Sequence, residues 1–356
     1  MNTVRQSGEL GDSFDILHIA PTRGHAAMYG PSCEALARLA VGEINSSDGI
    51  LGREACLTVL DGGGDPILLG REVSALVSTG LVRAVTGNPP SPDRLAVMRA
   101  VAGRTPCLFG YGHDGLAPYQ PGTFMIAEHP GALTYHVVRW LYREYGLHRW
   151  VLVVSDYEWA WRFAAILRRL LAPPHVVFAE YSIPMGSRDF EPVLTDRLLD
   201  LADGLLIVMT SADAIRFNRA FAATGRAERQ VRVGPAFDED VLLASGPDAN
   251  RNVFVASSSL PDRADSRALR DRYGQWYREI PPAVGRFAYG SYLSVHALAA
   301  LVEAVGSPAV PRIHSALHAR SVFEGVPGEF RFWDDQILRP VRIARADGVD
   351  LTVLTG

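Results

Sequence analysis

Apolar positions along the chain fall into short runs that alternate with stretches of helical spacing. The clearest run is Val151-Leu152-Val153-Val154, four apolar and mostly β-branched residues, the pattern of a strand buried on both faces. It stops at Ser155-Asp156, and Trp161, Ala164, Ala165, Leu167 and Leu171 then recur as on one side of a helix. Tyr157 and Trp159 therefore stand where the carboxyl end of a parallel strand turns into its helix. Open α/β sheets bind ligands at that rim, so the aromatic pair is either a wall of a small-molecule pocket or a cap on the core.

The alternation extends in both directions. Residues 15–20, 56–60, 82–86 and 106–109 read as strands, separated by helices over 31–44, 67–78 and 94–102. A second run places strands at 124–127, 151–154, 176–181, 205–209, 231–233 and 253–256, with helices at 131–145, 161–171, 189–201 and 212–223. Helical spacing returns over 264–277 and 289–305. The tail alternates instead (Phe330, Phe332, Val341, Ile343), which predicts a β-hairpin turning near 333–336. Strand–helix alternation implies parallel sheets with right-handed crossovers, and the two runs look like two copies of one layout.

Length agrees with this: 356 residues accommodate two lobes of about one to two hundred residues each. Hydrophobic residues make up 48% and charged residues 21%, ordinary values for a globular chain. The net charge of −4, with no basic stripe, argues against direct binding of nucleic acid. Cys33, Cys56 and Cys107 are odd in number and lack CxxC spacing, so neither a disulfide framework nor a zinc site is expected. Residues 1–13 read as a disordered polar lead without an export-type apolar core, and no apolar run reaches membrane-spanning length. The corresponding expectation is no membrane insertion and a cytoplasmic location, or a periplasmic one if an export signal has been removed.

Several motifs suggest chemistry and fail on context. Gly110-Tyr111-Gly112-His113-Asp114-Gly115 matches GxGxxG, but Leu116 to Gly122 contains two prolines and cannot start the helix that a pyrophosphate needs. Gly62-Gly63-Gly64 lacks the Gly-Lys-Ser/Thr of a phosphate loop. No GxSxG elbow or HExxH is present, and the 10 histidines show no metal-ligand spacing. His113-Asp114 is either an acid–base pair or an exposed loop pair, with no nucleophile aimed at it. The expectation is a binding protein without catalytic residues, metal or cofactor.

Four segments carry a family resemblance: "YGPSCEALARLAVGEINSSDGILGREACLTVLDGGGDP", "LVRAVTGNPPSPDRLAVM", "VLVVSDYEWAWR" and "RDFEPVLTDRLLDLADGLLIVMTSADAIRFNRAF". They resemble type I periplasmic-binding-protein-like chains, in the branch of the aliphatic-amidase expression-regulating protein (an amide sensor) and of urea- or short-chain-amide-binding proteins of ABC transporters. The resemblance spans about residues 15 to 345. It implies two Rossmann-like three-layer lobes joined by three crossovers, closing over a ligand like a Venus flytrap. The lobes would be 14–123 plus 256–322, and 124–255 plus 323–356.

Carried over by position, the resemblance implies ligand contacts at Pro89, Ser91, Phe109, Tyr111, Tyr157, Trp159, Thr210, Ser211, Phe237 and Asp238. The chain departs from the branch at Pro89, where relatives carry tyrosine, at Gly110-Tyr111-Gly112, and at His129-Pro130-Gly131, where they carry an asparagine–glutamine pair. Those changes reshape the pocket, with Trp159 and Tyr111 adding bulk.

Chemically, Ser91, Thr210, Ser211, Tyr157 and Tyr111 offer hydroxyls without fixed charge, which suits an amide or urea-like guest. An amino acid would need a carboxylate such as Asp156 or Asp238, and both read equally well as helix caps. Ser91 and Thr210-Ser211 are also plausible caps. Tyr289, Tyr292, Phe217 and Phe221 read as core. Two roles follow from the resemblance: a sensor that regulates amidase expression through an RNA-binding antitermination partner, or the solute-binding component of an ABC transporter for urea, amides or branched amino acids. Relatives often form homodimers through a lobe face.

Overall fold

The computed structural model describes residues 13–110, 120–126, 128, 129, 131–260, 264–277, 280–319, 321–325, 328–333 and 335–355. The chain starts with β1 (Phe14–Ala20), α1 (Gly30–Asn45), β2 (Ala55–Asp61), α2 (Pro66–Ser78), β3 (Val82–Gly87), α3 (Ser91–Val101), β4 (Cys107–Phe109) and β5 (Thr123–Met125). It continues through α4 (His136–Tyr145), β6 (Arg149–Ser155), α5 (Glu158–Leu170), β7 (Val176–Ile183), α6 (Glu191–Leu194), β8 (Gly204–Val208), α7 (Ser211–Ala223), β9 (Val231–Val233), α8 (Glu239–Ser245) and β10 (Val253–Ser257). The last part holds α9 (Ala264–Tyr277), α10 (Arg286–Val305), α11 (Val310–Ala319), β11 (Val322–Phe323), β12 (Phe330–Trp333), β13 (Gln336–Ile337), β14 (Arg342–Asp347) and β15 (Asp350–Thr355).

These elements form two sheets and two α/β lobes. The first sheet has the order β11-β12-β13-β5-β4-β3-β1-β2, and the second β15-β14-β10-β9-β8-β6-β7. β1 lies between β2 and β3 and pairs with both in parallel. Its side chains alternate between faces, as a pleated strand requires. Phe14 and Ile16 pack with α1, α9 and α10, while Leu17 and Ile19 pack with α2 and α3. The second lobe repeats the arrangement around β6. Val151 and Val153 face α7 and α8, and Leu152 and Val154 face α4 and α5. The Val151–Val154 run is thus a central strand buried on both faces.

Three differences from the sequence reading concern where the chain crosses between lobes. The lobe bounds implied by the resemblance put residue 124 in the second lobe, yet Phe124 pairs with Leu108 and the whole of β5 belongs to the first sheet. Residue 256 was placed in the first lobe, yet Ala256 and Ser257 pair with Ile343 and Arg342 in the second. The tail was read as one hairpin of the second lobe. It forms two: β12–β13 joins the first sheet through Gln336↔Met125, and β14–β15 completes the second. Alternation identifies a strand but not the sheet edge it will join, which depends on contacts distant in sequence. The crossings therefore follow β5, follow β10, and lie between β13 and β14.

α10 corrects a further expectation. Its 20 residues are long and apolar enough, by composition, to cross a bilayer, but most of the helix is buried inside the first lobe. Gly290 on this helix lies so close to Gly110 that a Cβ at Gly110 would sit 2.0 Å from the Gly290 carbonyl oxygen. That contact brings the amino-terminal end of α10 against the carboxyl end of β4. The helix start is thereby delivered to the rim between the lobes.

Candidate functional site

The loops that follow β1, β3, β6, β8 and β9 converge on one cleft between the lobes. His25, Ala26, Pro89, Pro90, Ser91 and Phe287 line it from the first lobe, and Trp159, Met209, Thr210, Ser211 and Ala236 from the second. The cavity has a volume of about 60 Å³. Among the described residues, no Asp, Glu or Arg side chain is in this lining. His25 is pushed below its ordinary pKa by burial, against a smaller opposing effect of Asp213, so it enters the cleft as a neutral imidazole at neutral pH.

The polar groups of the cleft are held by neighbours. Ser211 is the first residue of α7, and its Oγ accepts a hydrogen bond of 2.5 Å from the Tyr29 hydroxyl across the cleft. Tyr29 is fully buried and stacks on Phe287, with ring centroids 3.8 Å apart. Thr210 occupies the cap position without capping. Its amide donates to Ser155 Oγ at 3.1 Å, and its hydroxyl donates to Asp213 Oδ2 at 3.0 Å. Ser91 Oγ accepts from Arg94 Nη2 at 3.3 Å.

Behind this lining, the lobes are tied by Arg286, the first residue of α10. Its guanidinium donates to the carbonyls of Pro235 and Ala256, each at 3.0 Å, and of Phe237 at 3.5 Å. Arg270 on α9 adds an ion pair to Glu239 on α8 at 3.0 Å. Near the crossings, Glu128 accepts from the amide and hydroxyl of Ser258 at 3.0 and 2.7 Å. Burial opposes ionisation of Glu128, yet nearby Arg286 and the Ser258 bonds hold its pKa below the ordinary value.

The ten positions implied by the resemblance divide into four groups. Pro89, Ser91, Trp159, Thr210 and Ser211 line the cleft. Tyr157 lies beside it, edge-on to His25 with centroids 5.1 Å apart. Burial and Asp93 raise the Tyr157 pKa. Phe109 and Phe237 lie inside the cores of the first and second lobes, and Asp238 sits just behind the wall. Tyr111 is outside the described residues, as is His113-Asp114.

The cap readings also separate. Asp238 caps α8, accepting from the Val241 amide at 3.0 Å. Asp156 does not cap α5, because Tyr157 occupies that position without a side-chain bond. Ser91 is not the cap of α3, since Pro90 stands there. Tyr289, Tyr292, Phe217 and Phe221 are core residues.

His25, Ala26, Tyr29, Pro90, Met209, Ala236 and Phe287 are cleft residues, or support them, and were missed. The rule that singled out Tyr157 also applies to the end of β1 and would have found His25 and Tyr29. Phe287 had no local signal, because α10 reaches the cleft only by packing on β4. Among the described residues no cluster of three or more His, Cys, Asp or Glu side chains could hold a metal ion, and all three cysteines are free thiols.

Two lobes on separate sheets, three crossings and a cleft at the strand ends define a type I periplasmic-binding-protein fold. The family profile described as periplasmic binding protein matches residues 14–350, and the chain belongs to that family. No curated protein matches it. Among solved structures it is similar to the branched-chain amino acid transporter substrate-binding protein LivJ from Streptococcus pneumoniae, in complex with isoleucine. The two are 21% identical over 97% of this chain and 100% of that one, with a TM-score of 0.83. A solute-binding protein of an ABC transporter from Rhodopseudomonas palustris, in complex with 3,4-dihydroxybenzoic acid, is 18% identical over 97% of each chain, with a TM-score of 0.82. Another from R. palustris, in complex with benzoate, is 18% identical over 96% of each chain, with a TM-score of 0.80.

Proposed function

We propose that this protein is a two-lobe receptor for a small, neutral, polar molecule of amide or urea size. The supporting observation is the cleft itself: a cavity of about 60 Å³ whose lining combines two prolines, Trp159 and Phe287 with three hydroxyls and, among the described residues, no fixed charge. Burying a charged guest there would leave it without an ionic partner in the lining, which is costly. A carbonyl or NH₂ group instead finds hydroxyls, and the aromatic walls exclude water from those bonds. In this reading the chain carries out no chemistry. Its output is the closed arrangement of the lobes, favoured by a guest that touches both walls.

The likeness to substrate-binding proteins supports delivery to an ABC-type importer as the role. A second reading is a cytoplasmic amide sensor, whose closed form alters its hold on an antitermination protein. It is favoured by the uncharged lining together with the segments around Ser91 and Tyr157. Titration calorimetry with acetamide, urea, isoleucine and benzoate tests the guest. Acetamide or urea should bind at least tenfold more tightly than isoleucine and benzoate. Tighter binding of either charged compound overturns the proposal. Pull-down of a permease subunit or of an RNA-binding regulator by the liganded form then separates the two roles.

A further inference from the structure

Behind Ser211, the groups Asp238 and Tyr29 form a buried polar line that leads away from the cleft. Asp238 is 2% exposed, and its Oδ1 is used by the Val241 amide. Its other oxygen, Oδ2, makes no hydrogen bond among the described residues. The Tyr29 hydroxyl lies within reach of this carboxyl and donates to Ser211 Oγ in the structure. Stacking on Phe287 fixes the Tyr29 ring, so its hydroxyl can serve these two neighbours with little movement.

We infer that Asp238, acting through Tyr29, sets whether Ser211 presents a proton or a lone pair to the guest. With Asp238 protonated, Oδ2–H donates to Tyr29 Oη, Tyr29 donates to Ser211 Oγ, and the Ser211 proton is left for a guest carbonyl. With Asp238 ionised, Tyr29 donates to the carboxylate and accepts from Ser211, which then offers the cleft only a lone pair. No covalent bond changes apart from the proton lost to solvent. Asp238 is therefore a positioning residue for specificity, and this assignment deepens the reading of the cleft as a receptor for a neutral amide.

The surroundings bring the two forms of Asp238 into balance near neutral pH. Burial pushes the Asp238 pKa up to about 7, opposed by Arg286 and supported by Glu239. Asp240 and Cys33 also face it. Arg286 spends hydrogen bonds on the carbonyls of Pro235, Phe237 and Ala256, which limits what it offers the carboxylate.

The test uses the full chain and two readouts. Acetamide affinity, measured by calorimetry between pH 5.5 and 8.5, should fall about tenfold or more as pH rises. Asp238→Asn and Tyr29→Phe should each flatten that profile. Without any guest, a thermal-unfolding double-mutant cycle between the two substitutions should show a coupling that differs between pH 5.5 and 8.5. A pH-independent or absent coupling overturns the inference whatever binds, and so does a pH profile that survives either substitution. If no acetamide binds while the coupling changes with pH, the relay stands and the choice of guest fails.

Discussion

Of the helices that begin at the cleft, α3 and α7 begin differently. α3 is entered through Pro89-Pro90, so two of the residues lining the cleft have no N–H to offer. α7 opens as Thr210-Ser211-Ala212-Asp213, where every residue keeps its amide and the first two add hydroxyls. The first-lobe wall, with Pro89 and Phe287 beside it, is therefore stiff and mainly shapes the cavity. The second-lobe wall carries the directed hydrogen bonding. In the proposed reading, two copies of one strand–helix layout take separate tasks, one steric and one polar.

The most severe way to break this pairing is to cut the tie between the walls. Replacing Arg286 with Met leaves three buried carbonyls without their donor. It should lower the unfolding free energy by about 2–4 kcal/mol in urea denaturation. A loss below about 1 kcal/mol would show that the walls are held elsewhere.

The division of tasks is tested directly by comparing the two serines. Ser211→Ala should weaken acetamide binding about tenfold or more, the cost of a lost buried hydrogen bond. Ser91→Ala should weaken it less than about threefold, because Ser91 Oγ already accepts from Arg94. Equal losses would place polar recognition on both walls.

Acidity at the seam gives a third measurement. Burial, and for Asp240 also the neighbouring Asp238 and Glu239, raises folded pKa values to about 7 for Asp93, about 7 for Asp238 and about 9 for Asp240. These lie above the unfolded value of about 3.9, so the folded state binds more protons and stability falls as pH rises through that window. His18, buried and pushed down to about 3, acts oppositely, because the unfolded chain takes up its proton below about 6.5. The melting temperature should therefore decline between pH 6.5 and 8, above the range of His18 and below that in which the unfolded thiols of Cys33 and Cys107 titrate. Asp240→Asn should shallow that decline; an unchanged slope would remove Asp240 from the account.

The smallest effect is expected at Pro90. Pro90→Ala relaxes the stiff wall and should cost about 0.4–1 kcal/mol, with acetamide affinity nearly unchanged. A large affinity loss would mean that the first lobe's rigidity, and not only its shape, serves binding.

Much of this arrangement was legible in local sequence. The run at Val151–Val154, the amphipathic spacing of α1 and the order of strands and helices follow from side-chain periodicity, which needs no tertiary knowledge. The same periodicity located Tyr157 and Trp159 at a strand end, while Ser91 and Ser211 came from the family resemblance. The resemblance also pointed to Phe109 and Phe237, which lie in the cores, because an aromatic residue at a strand end can turn inward as readily as toward the cleft.

By itself, then, the sequence determined that the chain is doubly built from β-α units and which rim of each unit could hold a guest, since both depend on neighbours a few residues apart. Only the tertiary structure decided where the crossings fall, that β12 and β13 complete the first sheet, and that Phe287 and Tyr29 meet Ser211. Those outcomes rest on packing between residues far apart in the chain, such as Gly110 against Gly290 and Tyr29 against Phe287, and no local pattern encodes the partner of such a contact.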